Sequence, residues 1–221
     1  MKAIILAAGR GERMRPLTDS TPKPLIMAGR KRLIEYHLNN LANAGFRDVV
    51  INVAWLGQKI MDTLGSGDRY NLNIVYSDEG DQALETGGGI YNALPLLGPR
   101  FLVINGDIWT DYPLETLRNI NLKAKAHLVL VNNPEHNSGG DFALSAGRLT
   151  DMKSDKYTYS GMGVYTAAFF EKSAKAAFPL APMIREHIAR GDISGELYQG
   201  RWMDIGTQQR LDELKSLVIH D

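Results

Sequence analysis

Lys2-Ala3-Ile4-Ile5-Leu6-Ala7-Ala8-Gly9-Arg10-Gly11-Glu12-Arg13-Met14-Arg15-Pro16-Leu17-Thr18 runs an apolar strand directly into a glycine-spaced, arginine-rich loop. Shortly afterwards Thr21-Pro22-Lys23-Pro24-Leu25 adds a lysine. Only Glu12 and Asp19 oppose Arg10, Arg13, Arg15 and Lys23 in this stretch. A loop of this kind brings bare backbone N–H groups and several cations up to a polyphosphate. A dinucleotide fingerprint does not fit, because Met14 stands where its third glycine belongs and no acid ends the next strand. A Walker loop does not fit either, since no Gly-Lys-Ser/Thr follows.

Beyond the loop, short apolar runs alternate with helical patterns. Strands are predicted over 2–8, 48–53, 73–76, 101–104 and 126–131, and helices over 32–44, 56–64 and 86–96. Leu33, Ile34, Leu38, Leu41 and Ala44 recur at helical spacing, and Gly45 is placed to close that helix. Strands joined by helical crossovers predict a Rossmann-like α/β fold with a mixed, largely parallel sheet and flanking helices. Gly9–Arg13, Glu79–Gly89 and Asn105–Asp107 each follow a predicted strand, so all three should converge at the carboxyl edge of the sheet. The later segments 141–145, 148–152 and 157–165 read as short strands of a small β-rich flap over the sheet edge. Turns at Ala146-Gly147 and Ser154-Asp155 separate them, and closing helices are expected over 182–189 and 208–219.

With 221 residues, 44% of them hydrophobic, the chain is sized for one substantial core, and no linker or repeat divides it. A single domain over 1–221 is expected. Lys plus Arg equals Asp plus Glu at 25 each, so net charge offers no reason to propose nucleic acid or an anionic membrane as partner. There is no cysteine, which excludes disulfides, thiolate metal sites and cysteine nucleophiles. No stretch approaches a membrane span, and the first apolar run is too short for a signal peptide. A cytoplasmic protein with no inferred protein partner is the expectation. The five histidines show no ligand spacing and read as structural or surface residues.

Leu6-Ala-x-Gly9-x-Gly11-x-Arg13-Met-x-Pro16-Leu-Thr, with Pro22-Lys23-Pro24-Leu25, resembles the signature of sugar-1-phosphate nucleotidyltransferases. The resemblance implies that the backbone of Leu6, Ala7, Ala8, Gly9 and Gly11 meets the nucleotide. It also implies that Arg13 holds the triphosphate and that Lys23 bridges nucleotide and sugar phosphates. Val103-Ile104-Asn105-Gly106-Asp107 and Trp202-Met-Asp204-Ile-Gly-Thr207 resemble the family's two metal-aspartate motifs, implying Mg²⁺ on Asp107 and Asp204. Two hard carboxylates supplemented by substrate phosphates suit Mg²⁺, which seldom receives a complete protein cage.

Ser77-Asp-Glu79 and Leu84-Glu-Thr86-Gly87-Gly-Gly89 occupy the place of the family's base- and ribose-contacting segment, often Leu-Gly-Thr-Ala-Gly. Glu79, Thr86 and Gly87 are accordingly expected at the nucleotide. The triple-glycine variant, together with Asn105-Gly-Asp107-Ile-Trp109-Thr-Asp-Tyr112, resembles the N-acetylmuramate-1-phosphate uridylyltransferases of bacterial cell-wall recycling. Asn105, Asp141, Ser160 and Gly161 fall where relatives line the sugar pocket. Met152-Lys153-Ser154 replaces the Glu-Lys-Pro seen in many relatives, which leaves Lys153 as a candidate sugar-phosphate ligand.

The resemblance therefore implies transfer of a nucleotidyl group from a nucleoside triphosphate, with UTP favoured, to a sugar 1-phosphate, with N-acetylmuramic acid 1-phosphate favoured. The products are a UDP-sugar and pyrophosphate. A mannose- or glucose-1-phosphate nucleotidyltransferase is the alternative within the class. A catalytically silent sugar-nucleotide sensor is the alternative outside it, disfavoured by retention of Lys23 and both aspartates.

Overall fold

The computed structural model describes residues 1–80, 83–152 and 154–218. The first half is β1 (Lys2–Leu6), α1 (Leu17–Ser20), the hairpin β2 (Met27–Ala28) and β3 (Lys31–Arg32), α2 (Leu33–Asn43), β4 (Asp48–Val53), α3 (Gly57–Leu64), β5 (Asn73–Asp78), α4 (Glu85–Ala93) and β6 (Arg100–Asn105). The second half is β7 (Ile108–Thr110), α5 (Leu114–Arg118), β8 (Ala126–Val131), β9 (Phe142–Ser145), β10 (Arg148–Thr150), β11 (Lys156–Thr166), α6 (Leu180–Ala189), β12 (Ile193–Tyr198), β13 (Trp202–Asp204) and α7 (Gln208–Leu217). Among the described residues no helix is long and apolar enough to cross a membrane.

Nine strands form one sheet in the order β5-β4-β1-β6-β11-β8-β12-β10-β9. β5, β4, β1 and β6 are parallel neighbours, as the alternating strands and helices predict. β1 is buried on both sides. Ala3 and Ile5 join the core beneath α2 and α3, while Ile4 joins the core beneath α4 and α6. That double burial explains why the strand reads as an unbroken apolar run rather than an alternating one. α2 buries Leu33, Ile34, Leu38 and Leu41, and each fully buried Leu or Ile contributes about 1.5–3 kcal/mol. The helix closes where its glycine predicts. Gly45 has φ 82°, and Phe46 N–H and Gly45 N–H donate to the carbonyls of Leu41 and Ala42.

The flap expected over 141–165 is corrected by the topology. β11 is no flap strand but the middle of the sheet, antiparallel to β6 on one side and β8 on the other. Its register shifts between Tyr159 and Met162, a bulge that lets the strand's first residues turn away and pair with β9. Only β9 and β10, with their Ala146-Gly147 turn, form a small hairpin at the sheet's end. The antiparallel pairing of β11 also makes the sheet mixed beyond β6.

Candidate active site

β1 sets the position of the site. Leu6 is paired with Asn52 of β4 on one side and Asn105 of β6 on the other, so three strand ends meet at one edge. A cavity of about 560 Å³ opens there, between the Gly9–Arg13 loop, Glu79 and Thr86, and the Asn105–Asp107 turn. The three segments expected to converge do so.

The loop presents its cations unevenly. The guanidinium of Arg13 makes no hydrogen bond or ion pair among the described residues and lines the cavity, as an anion ligand must. Arg10 also lines it, its guanidinium carbon 4.8 Å from the centre of the Trp55 ring. Arg15 turns outward and pairs with Asp19 one helical turn away, at 2.6 Å. Gly11 has φ 65°, and a Cβ there would come within 2.9 Å of Thr18 Cγ2, so this turn requires glycine. At Gly9 a Cβ would meet nothing, so the protein's own packing leaves room for a ligand against that backbone.

Lys23 is buried, held where the chain turns between Pro22 and Pro24, and its Nζ lies 2.7 Å from Asp107 Oδ2. Asp107 follows β6 on the Gly106 turn, where Gly106 N–H donates to Leu6 O at 2.9 Å. The second aspartate arrives from the far end of the chain. β13 pairs antiparallel with β7, Asp204 facing Ile108, and Ile205 N–H donates to Asp107 O at 2.7 Å. Asp204 Oδ2 accepts from Arg210 Nη1 at 2.8 Å and lies 3.2 Å from His136 Nε2. Among the described residues Asp204 Oδ1 is buried without a hydrogen-bond partner, and Asp204 is not among the cavity residues. An ionised carboxylate oxygen left unpaired in a buried position is costly, and a hard cation is a natural partner for it. Among the described residues no cluster of three or more His, Cys, Asp or Glu could hold a metal ion. The donor set therefore fits a cation that takes its remaining ligands from substrate phosphates and water. Gly206 completes this corner, since a Cβ there would come within 2.7 Å of Arg210 Nη2 and 2.9 Å of Arg13 Nη2.

Glu79 is more than a cavity wall. Asn52 Nδ2 donates to its Oε1 and Leu84 N–H to its Oε2, both at 2.7 Å. Asn52 Oδ1 in turn accepts from Ala7 N–H at 2.7 Å. Burial pushes the Glu79 carboxyl above its ordinary value, opposed by these donors. The chain Ala7–Asn52–Glu79–Leu84 ties the strand ends of β1, β4 and β5 to the start of α4. It also engages the Ala7 N–H, which the resemblance had offered to the nucleotide. Asn52 is a residue that the sequence reading missed; the available signal was one amide at the end of the apolar run Val49-Val50-Ile51. Gly89 makes space for the brace, because a Cβ there would come within 2.5 Å of Glu79 Oε1 and 2.8 Å of Asn52 Nδ2. Gly89→Ala is expected to lower stability by about 1–3 kcal/mol through overpacking. Urea denaturation measures it, and an unchanged midpoint would show that the brace can open freely.

Several sequence-predicted residues lie elsewhere. Gly87 does not line the cavity, because its N–H donates to Phe178 O at 3.0 Å and its α-carbon packs against the Phe178 ring. Ser160 is fully buried. Its Oγ donates to Val129 O at 2.7 Å and accepts from Met162 N–H at 3.1 Å, which holds the β11 bulge rather than a sugar. Gly161, at φ 81°, allows β11 to pass Asn105, whose Nδ2 a Cβ would approach to 2.7 Å. Asp141 Oδ2 accepts from Tyr159 N–H at 2.8 Å and is not among the cavity residues. Lys153 and His220 lie outside the described residues. His136 is exposed, as expected of a surface residue, and its ring also touches Asp204. His37 is fully buried beside the Asp107–Ile108 turn, and burial lowers its imidazole to about 4.

A parallel-sheet edge lined by Arg10, Arg13, a buried lysine and Asp107, with β13 bringing Asp204 alongside the Asp107–Ile108 turn, defines a class of polyphosphate-handling transferases. The chain belongs to the nucleotidyl transferase family, whose model matches residues 2–140. It is 48% identical to the N-acetylmuramate alpha-1-phosphate uridylyltransferase of Neisseria meningitidis serogroup B, over 99% of this chain and 98% of that one. It is 32% identical to the protein of the same name from Caulobacter vibrioides, over 94% and 92% of the two chains. The fold matches that of a Bacillus anthracis protein described as a glucose-1-phosphate thymidylyltransferase and solved with sucrose. That likeness has a TM-score of 0.89 at 23% identity, covering 100% of this chain and 96% of that one.

Proposed function

We propose that the chain is a Mg²⁺-dependent uridylyltransferase that joins UTP to N-acetylmuramic acid 1-phosphate, forming UDP-N-acetylmuramic acid and pyrophosphate in peptidoglycan recycling. The observation that carries the substrate pair is the end-to-end 48% identity to a relative bearing that name. In this reaction an oxygen of the sugar phosphate attacks the α-phosphorus. The bond from that phosphorus to the bridging oxygen of the β-phosphate breaks, and pyrophosphate departs with the electron pair. The nucleophile is already anionic, so no general base is required. Two anions must nevertheless approach each other and charge builds on the leaving group. Arg13, without a partner among the described residues, binds the triphosphate. Lys23 is a buried point charge suited to the space between nucleotide and sugar phosphate. Asp107 and Asp204 would hold Mg²⁺, which when bound neutralises phosphate charge and orients the α-phosphate.

Pyrophosphate release, measured for four nucleoside triphosphates against several sugar 1-phosphates with and without Mg²⁺, tests the proposal. UTP with N-acetylmuramic acid 1-phosphate should give the highest kcat/KM, and chelation should abolish it. A higher value with glucose or mannose 1-phosphate would overturn the sugar assignment. Binding of UDP-sugars without any turnover would favour the sensor.

A further inference from the structure

Gly206 lines the substrate cavity, and two guanidiniums converge on it. A Cβ at Gly206 would come within 2.7 Å of Arg210 Nη2, 2.9 Å of Arg13 Nη2 and 3.0 Å of Arg13 Nη1. Glycine thus keeps open the space that the two side chains share. Arg210, in the first turn of α7, is mostly buried and held by its neighbours. Its Nε donates to Thr207 Oγ1 at 3.3 Å, and its Nη1 donates to Asp204 Oδ2 at 2.8 Å. Nη1 also lies 2.9 Å from His136 Nε2. Nη2, the nitrogen beside Gly206, makes no hydrogen bond among the described residues.

Like charges this close repel, and Asp204 is the one carboxylate paired with either guanidinium among the described residues. A single carboxylate does not offset two guanidiniums, so the pair lacks an anion. Unused donors of both arginines meet at the same place, and guanidinium forks match phosphate oxygens. Lys23 stands beside Asp107, at the reacting phosphates, which leaves the Arg13–Arg210 pair the two that depart. We propose, resting on the nucleotidyl-transfer reading above, that Arg210 is a second ligand of the triphosphate, its Nη2 joining Arg13 in holding the phosphates that leave as pyrophosphate. Thr207 and Asp204 fix the guanidinium beforehand, so charge developing on the leaving group meets donors already in place.

The test is calorimetry with inorganic pyrophosphate, UTP and UMP in EDTA, where no divalent cation can act through Asp204. Removing Arg210 also unmasks the Asp204 charge. Arg210→Met is therefore made in an Asp204→Asn background and compared with Asp204→Asn alone. Pyrophosphate and UTP should bind about tenfold or more weakly without Arg210, the scale of one hydrogen bond between charged groups, with UMP changed less than about twofold. Gly206→Ala keeps every charge but fills the space between the guanidiniums, and should weaken pyrophosphate binding about threefold or more. A melting temperature within about 4 °C of the intact chain's shows that a variant is folded. Should the Arg210 variant melt lower than that, Gly206→Ala decides alone, and an unchanged pyrophosphate affinity in it overturns the proposal. Equal pyrophosphate affinity with and without Arg210 in the Asp204→Asn background overturns it too, because Arg210 then acts only through Asp204. A loss as large for UMP as for pyrophosphate places the pair at the α-phosphate and overturns it equally. Pyrophosphate binding needs neither base nor sugar, so failure of the uridylyltransferase reading leaves this result readable, and the reverse holds as well.

Discussion

Asp204→Asn should lower turnover about 10³-fold while leaving the fold intact. The buried Oδ1 of Asp204 has no partner among the described residues, whereas Oδ2 is bonded by Arg210 at 2.8 Å. Asparagine keeps an oxygen for Arg210 and removes the charge that a divalent cation would need. A melting temperature within about 4 °C of the parent, corresponding to no more than ~1 kcal/mol, would separate lost chemistry from lost folding. Asp107→Asn should behave alike, because an amide oxygen can still accept from Lys23. Raising Mg²⁺ should restore part of the rate in either variant. Turnover within tenfold of the parent at saturating Mg²⁺ would remove that aspartate from the metal assignment.

Lys23→Ala is the second large effect. The lysine is 7% exposed and stands 2.7 Å from Asp107 Oδ2, so its loss deprives both the aspartate and the incoming phosphates of a desolvated cation. The kcat/KM for sugar phosphate should fall about 10²–10³-fold. Triphosphate affinity, measured by calorimetry, should change far less, because Arg10 and Arg13 remain. Loss of triphosphate affinity with an unchanged KM for sugar phosphate would contradict the bridging role. Lys23→Arg should rescue poorly, since a planar fork does not reproduce a compact buried ammonium beside Asp107.

Residues close together in the chain were the most readable. Gly9, Gly11, Arg13 and Lys23 lie in one short stretch, and their chemistry shows in their spacing. The helix ending at Gly45 and the apolar core strands are equally local, because periodicity and glycine closure depend on near neighbours. The brace is different: Asn52 reaches Glu79 across 27 residues and Ala7 across 45. Nothing in either local pattern announces the bond. The resemblance places Gly87 at the nucleotide, yet Gly87 packs on Phe178 and Gly89 clears the brace. Ser160 misled for a related reason, since the β11 bulge turns its hydroxyl into the sheet.

The amino-acid order alone establishes the strand–loop phosphate motif, the parallel half of the sheet and the residue types that the chemistry needs. These rest on interactions within a few positions of the chain. Which carboxylates meet, and which polar side chains reach the cavity, depends on strand register. Lys23 and Asp107 are 84 residues apart, and the backbone of Asp204 comes alongside the Asp107–Ile108 turn because β13 pairs with β7. A one-residue shift in that register would turn Asp204 to the opposite face of its strand and away from Arg210, leaving every motif legible.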